Sequence, residues 1–398
     1  MFGVMLSVLV GLMHLYLWKR LVRDTTGPGR TRRVLTVGTV VLALLVVATL
    51  TLPRRVGIAA AQWFTWPGYI WFGLVVYLFL TLLVLELVRL AFRGWVRRRP
   101  LEATATAEAP PVAPAPQPAP AVNQSRRLFL ARGAGLVAGA ASASLVGVGM
   151  ANALGPPDLL RVPVRLSKLD PSLAGFRIAV VSDIHLGPLS GRAHTERIVR
   201  MINETNPDLV AIVGDLADGT VAELGDAAAP LRDLVSREGS FFVTGNHEYF
   251  EEPLAWLREL DRLGVHPLRN ENTVIRRGAA AFDLAGVNDV TGRSIDDGPD
   301  YDRALSGRDS ARPTVLLAHQ PVQVTEAAAH GVDLQLSGHT HGGQLYPFHY
   351  IVGLAQPAVA GLSTVDGTQL YVTRGAGFWG PPVRVGAPPD ITVLSLEL

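Results

Sequence analysis

Long apolar runs fill the first part of the chain, and short apolar runs alternating with amphipathic stretches fill the rest. Four early runs stand out, over residues 2–18, 34–52, 69–90 and 133–153. A helix needs about 20 mostly apolar residues to cross a bilayer core. The first three runs therefore predict membrane spans, with Trp and Tyr near several ends as interfacial anchors. The fourth is rich in Gly, Ala and Ser and predicts a weaker span. Glu86 and Arg89 lie three residues apart near the end of the third run. They are expected to pair and snorkel rather than to serve transport. His14, inside the first run, has no evident partner in the sequence.

From about Leu159 the pattern becomes that of a soluble α/β domain. Strands are predicted over 176–183, 208–215, 240–245, 273–277, 281–287, 314–319, 334–338 and 391–396. Helices are predicted over 192–203, 223–235 and 254–263. Apolar strands of this length between helices suggest sheets covered on their faces. The resulting division is a transmembrane region over 1–100, an Ala/Pro-rich linker over 101–124, an apolar helix with its preceding basic pair over 125–153, and a globular domain over 159–398. The linker composition cannot build a core. No internal repeat is evident.

Charge changes this picture at two points. With 36 basic and 34 acidic residues the net charge is +2, which gives no reason to expect nucleic acid as a partner. The absence of cysteine removes disulfides, thiolate metal sites and a cysteine nucleophile. The arginines are unevenly spread. The first loop carries Lys19, Arg20, Arg23, Arg30, Arg32 and Arg33, the second only Arg54 and Arg55, and the third Arg93, Arg97, Arg98, Arg99, Arg126 and Arg127. By the positive-inside rule, loops one and three are cytoplasmic, and a fourth span carries the globular domain outside. The string Ser125-Arg126-Arg127-Leu128-Phe129-Leu130 looks like a twin-arginine export signal, although it is internal. It falls on the cytoplasmic side, where such a signal is read. Ala151-Asn152-Ala153 resembles a signal-peptidase site. The expected location is a bacterial-type inner membrane, multi-pass, with the globular domain extracytoplasmic and the twin-arginine machinery as a partner.

The polar residues at strand ends carry the candidate chemistry. Successive strands run into Asp183-Ile184-His185, Gly214-Asp215-Leu216-Ala217-Asp218, Gly245-Asn246-His247-Glu248, Ala318-His319 and Gly338-His339-Thr340-His341-Gly342-Gly343. In α/β sheets, ligands gather outside the carboxyl ends of strands. Carboxylate, imidazole and amide oxygen together suit Mn, Fe or Zn. If the Asp183-x-His185 and His339-x-His341 segments are extended, alternate residues point the same way. A lone Asp-x-His is commonly a cap or surface pair, and a lone Gly-Asp a turn. The ordered set of five strand ends is far more specific. His194, His266, His330 and His349 stand outside these motifs and read as surface or core residues.

This order of motifs resembles the calcineurin-like metallophosphoesterase family over roughly residues 176–398. The closest likeness is to its bacterial membrane-linked or exported, twin-arginine phosphodiesterase branch, on Gly338–Gln344 and on Tyr371-Val372-Thr373-Arg374-Gly375. The resemblance implies a four-layer α-β-β-α sandwich, here preceded by an all-α transmembrane region of about four helices. It implies two divalent metal ions. Asp183, His185 and His341 would hold the first, Asn246, His319 and His339 the second, and Asp215 would bridge them. His247 would be the catalytic imidazole near the leaving oxygen, oriented by Asp218. Glu248 stands where many relatives have Asp and is not an expected ligand. Arg374 is a candidate for neutralising a phosphate oxygen. Arg192, Asn288, Arg384, Phe378 and Trp379 read as structural. The expected reaction is hydrolysis of a phosphate ester, on lipid or cell-envelope groups, by water activated between the two ions.

Three rival readings follow from the same residues. A pyrophosphatase acting on a lipid-linked or nucleotide-sugar diphosphate uses the same ligands. A sensory domain without hydrolysis is expected to lose ligands, and none is missing. A transporter is expected to carry more intramembrane charge than these spans do.

Overall fold

The computed structural model of the protein describes residues 2–92 and 124–398. The expected linker up to 123, with Arg93, Arg97, Arg98 and Arg99, lies outside the described residues. The chain forms two units, Met1–Leu50 with Trp71–Val146, and Thr51–Ile70 with Gly147–Leu398.

The first unit is helical. Its elements are α1 (Phe2–Leu17), α2 (Arg30–Thr51, with α3 Pro53–Val56 beyond it), α4 (Ile58–Ala91, from Trp71 onward) and most of α5 (Gln124–Leu154). Three helices among the described residues are long and apolar enough to span a membrane: Arg30–Thr51, Ile58–Ala91 and Arg126–Leu154. The first apolar run does not reach that length. α1 has 16 residues, and the next turn is the wider helix Trp18–Arg23, whose Lys19, Arg20 and Arg23 end the apolar stretch. The weaker run, by contrast, is a 31-residue helix, because nothing from Gln124 onward breaks it. Glu86 takes two arginine partners, Arg89 at 3.4 Å and Arg20 at 2.6 Å. His14 also has a partner: Trp71 Nε1 donates to His14 Nε2 at 3.0 Å. That contact spans 57 residues of sequence, so local pattern gave no hint of it.

The second unit contains two six-stranded sheets. Strands are β1 (Asp158–Arg165), β2 (Arg177–Val181), β3 (Leu209–Val213), β4 (Ser240–Val243), β5 (Val265–Pro267), β6 (Glu271–Arg277), β7 (Ala280–Gly286), β8 (Thr314–Leu317), β9 (Leu334–Ser337), β10 (Gly361–Val365), β11 (Thr368–Val372) and β12 (Asp390–Glu397). One sheet has the order β1-β12-β2-β3-β4-β5 and the other β10-β11-β9-β8-β7-β6. β2 through β5 are mutually parallel, as are β7, β8, β9 and β11. β1 escaped the sequence reading because its burial is mostly exposed or intermediate and its partner β12 is more than 200 residues away, with Asp158 opposite Asp390.

Strand alternation builds two cores. Ile178 and Val180 of β2, with Leu209, Ala211 and Val213 of β3, join Phe282, Leu284, Val315, Leu317, Leu334 and Leu336 of the other sheet in one buried cluster. The alternate residues Ala179, Val181, Val210 and Ile212 pack instead against helices. One of these is Arg192–Glu204, whose buried Thr195, Ile198, Val199 and Ile202 keep the 3.6-residue period. Val221–Ala228, started by a Thr220–Glu223 capping box, and Pro253–Arg262 complete that layer. Both faces of the strands are therefore apolar, which leaves polar residues concentrated at their ends.

Candidate metal centre

The chain leaves each strand through a sharp turn. Asp183, His185, Asp215, His339 and His341 all have positive φ, between 48° and 70°. Non-glycine residues in this region cost about 1–3 kcal/mol each, and here they coincide with the motif residues. The extended alternation expected for His339-x-His341 is not what the backbone adopts, since both residues are left-handed. Their side chains go to different clusters, whereas Asp183 and His185, equally left-handed, share one. Glycines permit the close approach: a Cβ on Gly214 would lie 2.6 Å from His319 Nδ1, and one on Gly338 would overlap the Asp183 carboxylate.

Seven donors from the ends of β2, β3, β4, β8 and β9 come together. Asp183, His185 and His341 form one group and Asp215, His319 and His339 another, with donor atoms within 4.8 Å of one another in each. His185 Nε2 lies 3.0 Å from His341 Nε2 and 3.8 Å from Asp215 Oδ2, and His341 Nε2 is 3.3 Å from Asp183 Oδ1. In the second group His319 Nε2 is 3.2 Å from both Asp215 Oδ2 and Asn246 Oδ1. His339 Nδ1 is 2.9 Å from Asn246 Oδ1. Asp215 also approaches the first group through His185 Nε2, and a third group joins His185 and Asp215 with His247. Lone pairs of several imidazoles and carboxylates converging in a buried space repel one another unless cations lie among them, so the donor set fits two divalent ions.

Surrounding groups hold these side chains in place. The His319 ring is fixed by Nδ1 against the Val213 carbonyl at 2.7 Å. The backbone N–H of His339 donates to both Asp183 oxygens, and that of His247 donates to Asp215 Oδ1. Asp218 does more than the sequence suggested. Its Oδ1 lies 2.5 Å from His247 Nδ1 and 3.2 Å from His185 Nδ1, so one carboxylate orients both rings. The His247 ring is also flanked by Phe250 and Trp379, with centroids 5.3 and 6.0 Å away.

Charges follow from this packing in the metal-free protein. Burial alone would push the His247 imidazolium down, but Asp215 and Asp218 override it and raise its pKa to about 9. The Asp218 carboxyl, despite burial, is held well below the usual carboxylate range by His185 and His247. His341 is driven well below its ordinary value by burial and by the Arg384 guanidinium, which keeps it neutral.

Two residues matter more than the sequence reading expected. Glu248 is fully buried and accepts from the backbone N–H groups of Gly245, Asp215 and Leu216 at 2.6, 3.1 and 2.8 Å. It ties the turns after β3 and β4 together. Burial and the Asp215 charge push its pKa up to about 7 against those N–H groups. Its place at the third position of helix Asn246–Phe250 is the capping signal that could have identified it. Arg384, also fully buried, donates from Nη1 to the His341 and Arg374 carbonyls at 2.7 and 2.9 Å, and its Nη2 lies 3.0 Å from His341 Nδ1. No local motif marks it. Arg374 pairs through Nε with Asp390 at 2.8 Å and through Nη2 with Asp158 at 3.5 Å. Arg192 pairs with Glu196 on the surface, while Asn288 binds Asp297.

Comparison with known proteins agrees with this geometry. A family model described as calcineurin-like phosphoesterase matches residues 176–343. A transmembrane protein with metallophosphoesterase domain from Danio rerio is 40% identical over 266 residues, covering 64% of this chain and 61% of that protein. An uncharacterized metallophosphoesterase of Helicobacter pylori is 41% identical over 253 residues, 62% of this chain and 66% of the relative. The uncharacterized metallophosphoesterase YkuE of Bacillus subtilis is 31% identical over 285 residues, 69% of this chain and 98% of YkuE. The match thus spans about three fifths of the fish protein and nearly all of the Bacillus one. The chain belongs to the calcineurin-like metallophosphoesterase family.

Proposed function

We propose that the chain is a membrane-anchored, metal-dependent phosphodiesterase acting at the outer face of the membrane, with its catalytic domain a four-layer sandwich. The observation that carries the reading is the convergence of seven donors around Asp215, with His247 held beside them by Asp218. Asp183, His185, His341 and Asp215 would hold one ion, and Asp215, Asn246, His319 and His339 the other. Such a pair of ions supplies charge neutralisation for the phosphate and acidifies water.

The chain's own residues do the rest. His247, protonated and pressed against Asp218, hands its proton to the departing ester oxygen. Asp218 keeps that ring charged and correctly turned while steadying His185. Arg384 holds the turn that carries His341 through the His341 and Arg374 carbonyls. Arg374 we assign to supporting the wall through Asp390 rather than to binding phosphate.

The location has its own support. Arg54, in the loop between the second and third apolar runs, pairs with Glu251 at 2.9 Å. Loop and phosphoesterase domain then share one side of the membrane, as the arginine distribution predicts. We assign Ser125–Leu130 to recognition by the twin-arginine machinery, which moves folded chains. A site assembled from five strand ends exists only after folding, so metal loads before export.

The test is metal analysis of the full chain in detergent, with rates on a phosphomonoester, a phosphodiester and a lipid-linked diphosphate. Two metal equivalents and preference for the diester are expected. Undiminished hydrolysis after complete metal removal overturns the reading, and preference for the diphosphate replaces it with a pyrophosphatase.

A further inference from the structure

The segment between the second and third long helices is built into the catalytic body. Thr51–Ile70 belongs to the same compact unit as the phosphoesterase domain. Ile58 is buried among Leu216, Ala217 and Leu224, and its N–H donates to Glu223 Oε1 at 3.0 Å. A Cβ on Gly219, the residue after Asp218, would sit 2.5 Å from Ile58 Cδ1. Arg54 pairs with Glu251, and its guanidinium carbon lies 5.7 Å from the Phe250 ring centroid. Tyr69 lies 3.7 Å from the Cβ position of Gly380, next to Trp379.

These contacts fall on one side of the site. Phe250 and Trp379 are the two rings that flank His247, so the segment borders the side from which the leaving group departs. Exposed rings lie there beside the Arg54–Glu251 pair. Phe250 is 49% exposed, Trp379 42% and Trp63, in the segment itself, 79%. Aromatic rings with an apolar body and a polar edge favour the boundary between water and hydrocarbon. The helix that supplies Ile58 and Tyr69 runs on without a break to Ala91, as one of the three helices apolar enough to span a bilayer.

We propose that the substrate is an amphiphile, a phosphate ester whose leaving alcohol carries a long hydrocarbon chain, and that Phe250, Trp379 and the Thr51–Ile70 segment receive that chain at the bilayer surface. The proposal rests on the phosphoesterase reading above and names its substrate class. Water adds to phosphorus, the bond from phosphorus to the lipid alcohol breaks, and His247 protonates the departing oxygen. The head group stays in water at the metal centre while the chain remains at the membrane boundary.

The test uses the full chain in mixed micelles with two synthetic diesters, ethyl methyl phosphate and hexadecyl methyl phosphate, whose leaving alcohols are of similar acidity. Release of ethanol or of hexadecanol is followed by mass spectrometry. The expected result is a kcat/KM at least tenfold higher for the hexadecyl ester. Phe250→Ser and Trp379→Ser should each lower that ratio at least threefold. The ratio divides out any change in the chemistry common to both esters, and metal content with the melting temperature reports whether the variants fold. Equal kcat/KM for the two esters in wild type overturns the inference and leaves the phosphoesterase reading standing. A preference kept in full by both folded variants overturns the aromatic border, since co-residence in the micelle then accounts for it. Hydrolysis of neither ester by metal-loaded protein overturns both readings. If both variants fail to fold, Arg54→Gln, which alters an exposed pair, takes their place under the same two outcomes.

Discussion

Asp218→Asn is the substitution that discriminates best among roles at this site. The change keeps size and one acceptor oxygen but removes the charge. In the wild type Asp218 Oδ1 serves His247 Nδ1 at 2.5 Å and His185 Nδ1 at 3.2 Å. A hydrogen bond to a charged group contributes about 1.5–3 kcal/mol. At 1.36 kcal/mol per decade, weakening the His247 bond should cost about 10–10² in turnover. The same change should loosen His185, and loss of a ligand-orienting partner typically costs about 10–100-fold in metal affinity. Two effects are therefore expected together: weaker metal binding, and a turnover deficit that persists at saturating metal. His247→Ala differs, with turnover down by about 10²–10⁴ and metal content near wild type. The assay is kcat against metal concentration on a soluble diester, with parallel metal titration. Wild-type kcat for Asp218→Asn at saturating metal refutes the action on His247. Unchanged metal affinity refutes the action on His185.

Asp215→Asn should remove the charge shared by both clusters, so that metal content falls and hydrolysis collapses; wild-type turnover with both ions retained refutes the shared assignment. In the metal-free protein the His247 pKa is raised to about 9 from the ordinary 6.5. Its contribution to stability is therefore complete below about pH 6.5 and lost as pH rises through about 9. Melting temperature of the metal-free wild type should fall more steeply across that window than that of His247→Asn, and parallel curves refute the raised value. Arg126→Lys with Arg127→Lys keeps the charge, so the positive-inside bias survives, yet export of the catalytic domain should fail; a C-terminal reporter that still reaches the exported compartment refutes recognition of the arginine pair.

What the sequence determined by itself was which polar residues stand at the ends of apolar strands. The donors Asp183, His185, Asp215, Asn246, His319, His339 and His341 were legible because each follows an apolar strand and most have a glycine nearby, and strand ends in parallel sheets face one way. The long helices were legible because apolar length is local. α1 is a 16-residue helix, and the basic residues from Lys19 onward follow it. Tertiary structure alone decided which residues meet across distance. It made Asp218 the common partner of His185 and His247, placed Arg384 against His341 and set Ile58 beside Gly219. It also set the left-handed backbone at Asp183, His185, His339 and His341, which no strand pattern carries. Such contacts depend on sheet order and on where loops return. A single buried arginine or a carboxylate shared by two rings leaves no periodic trace in the chain, since its partners are set by packing and not by its neighbours in sequence.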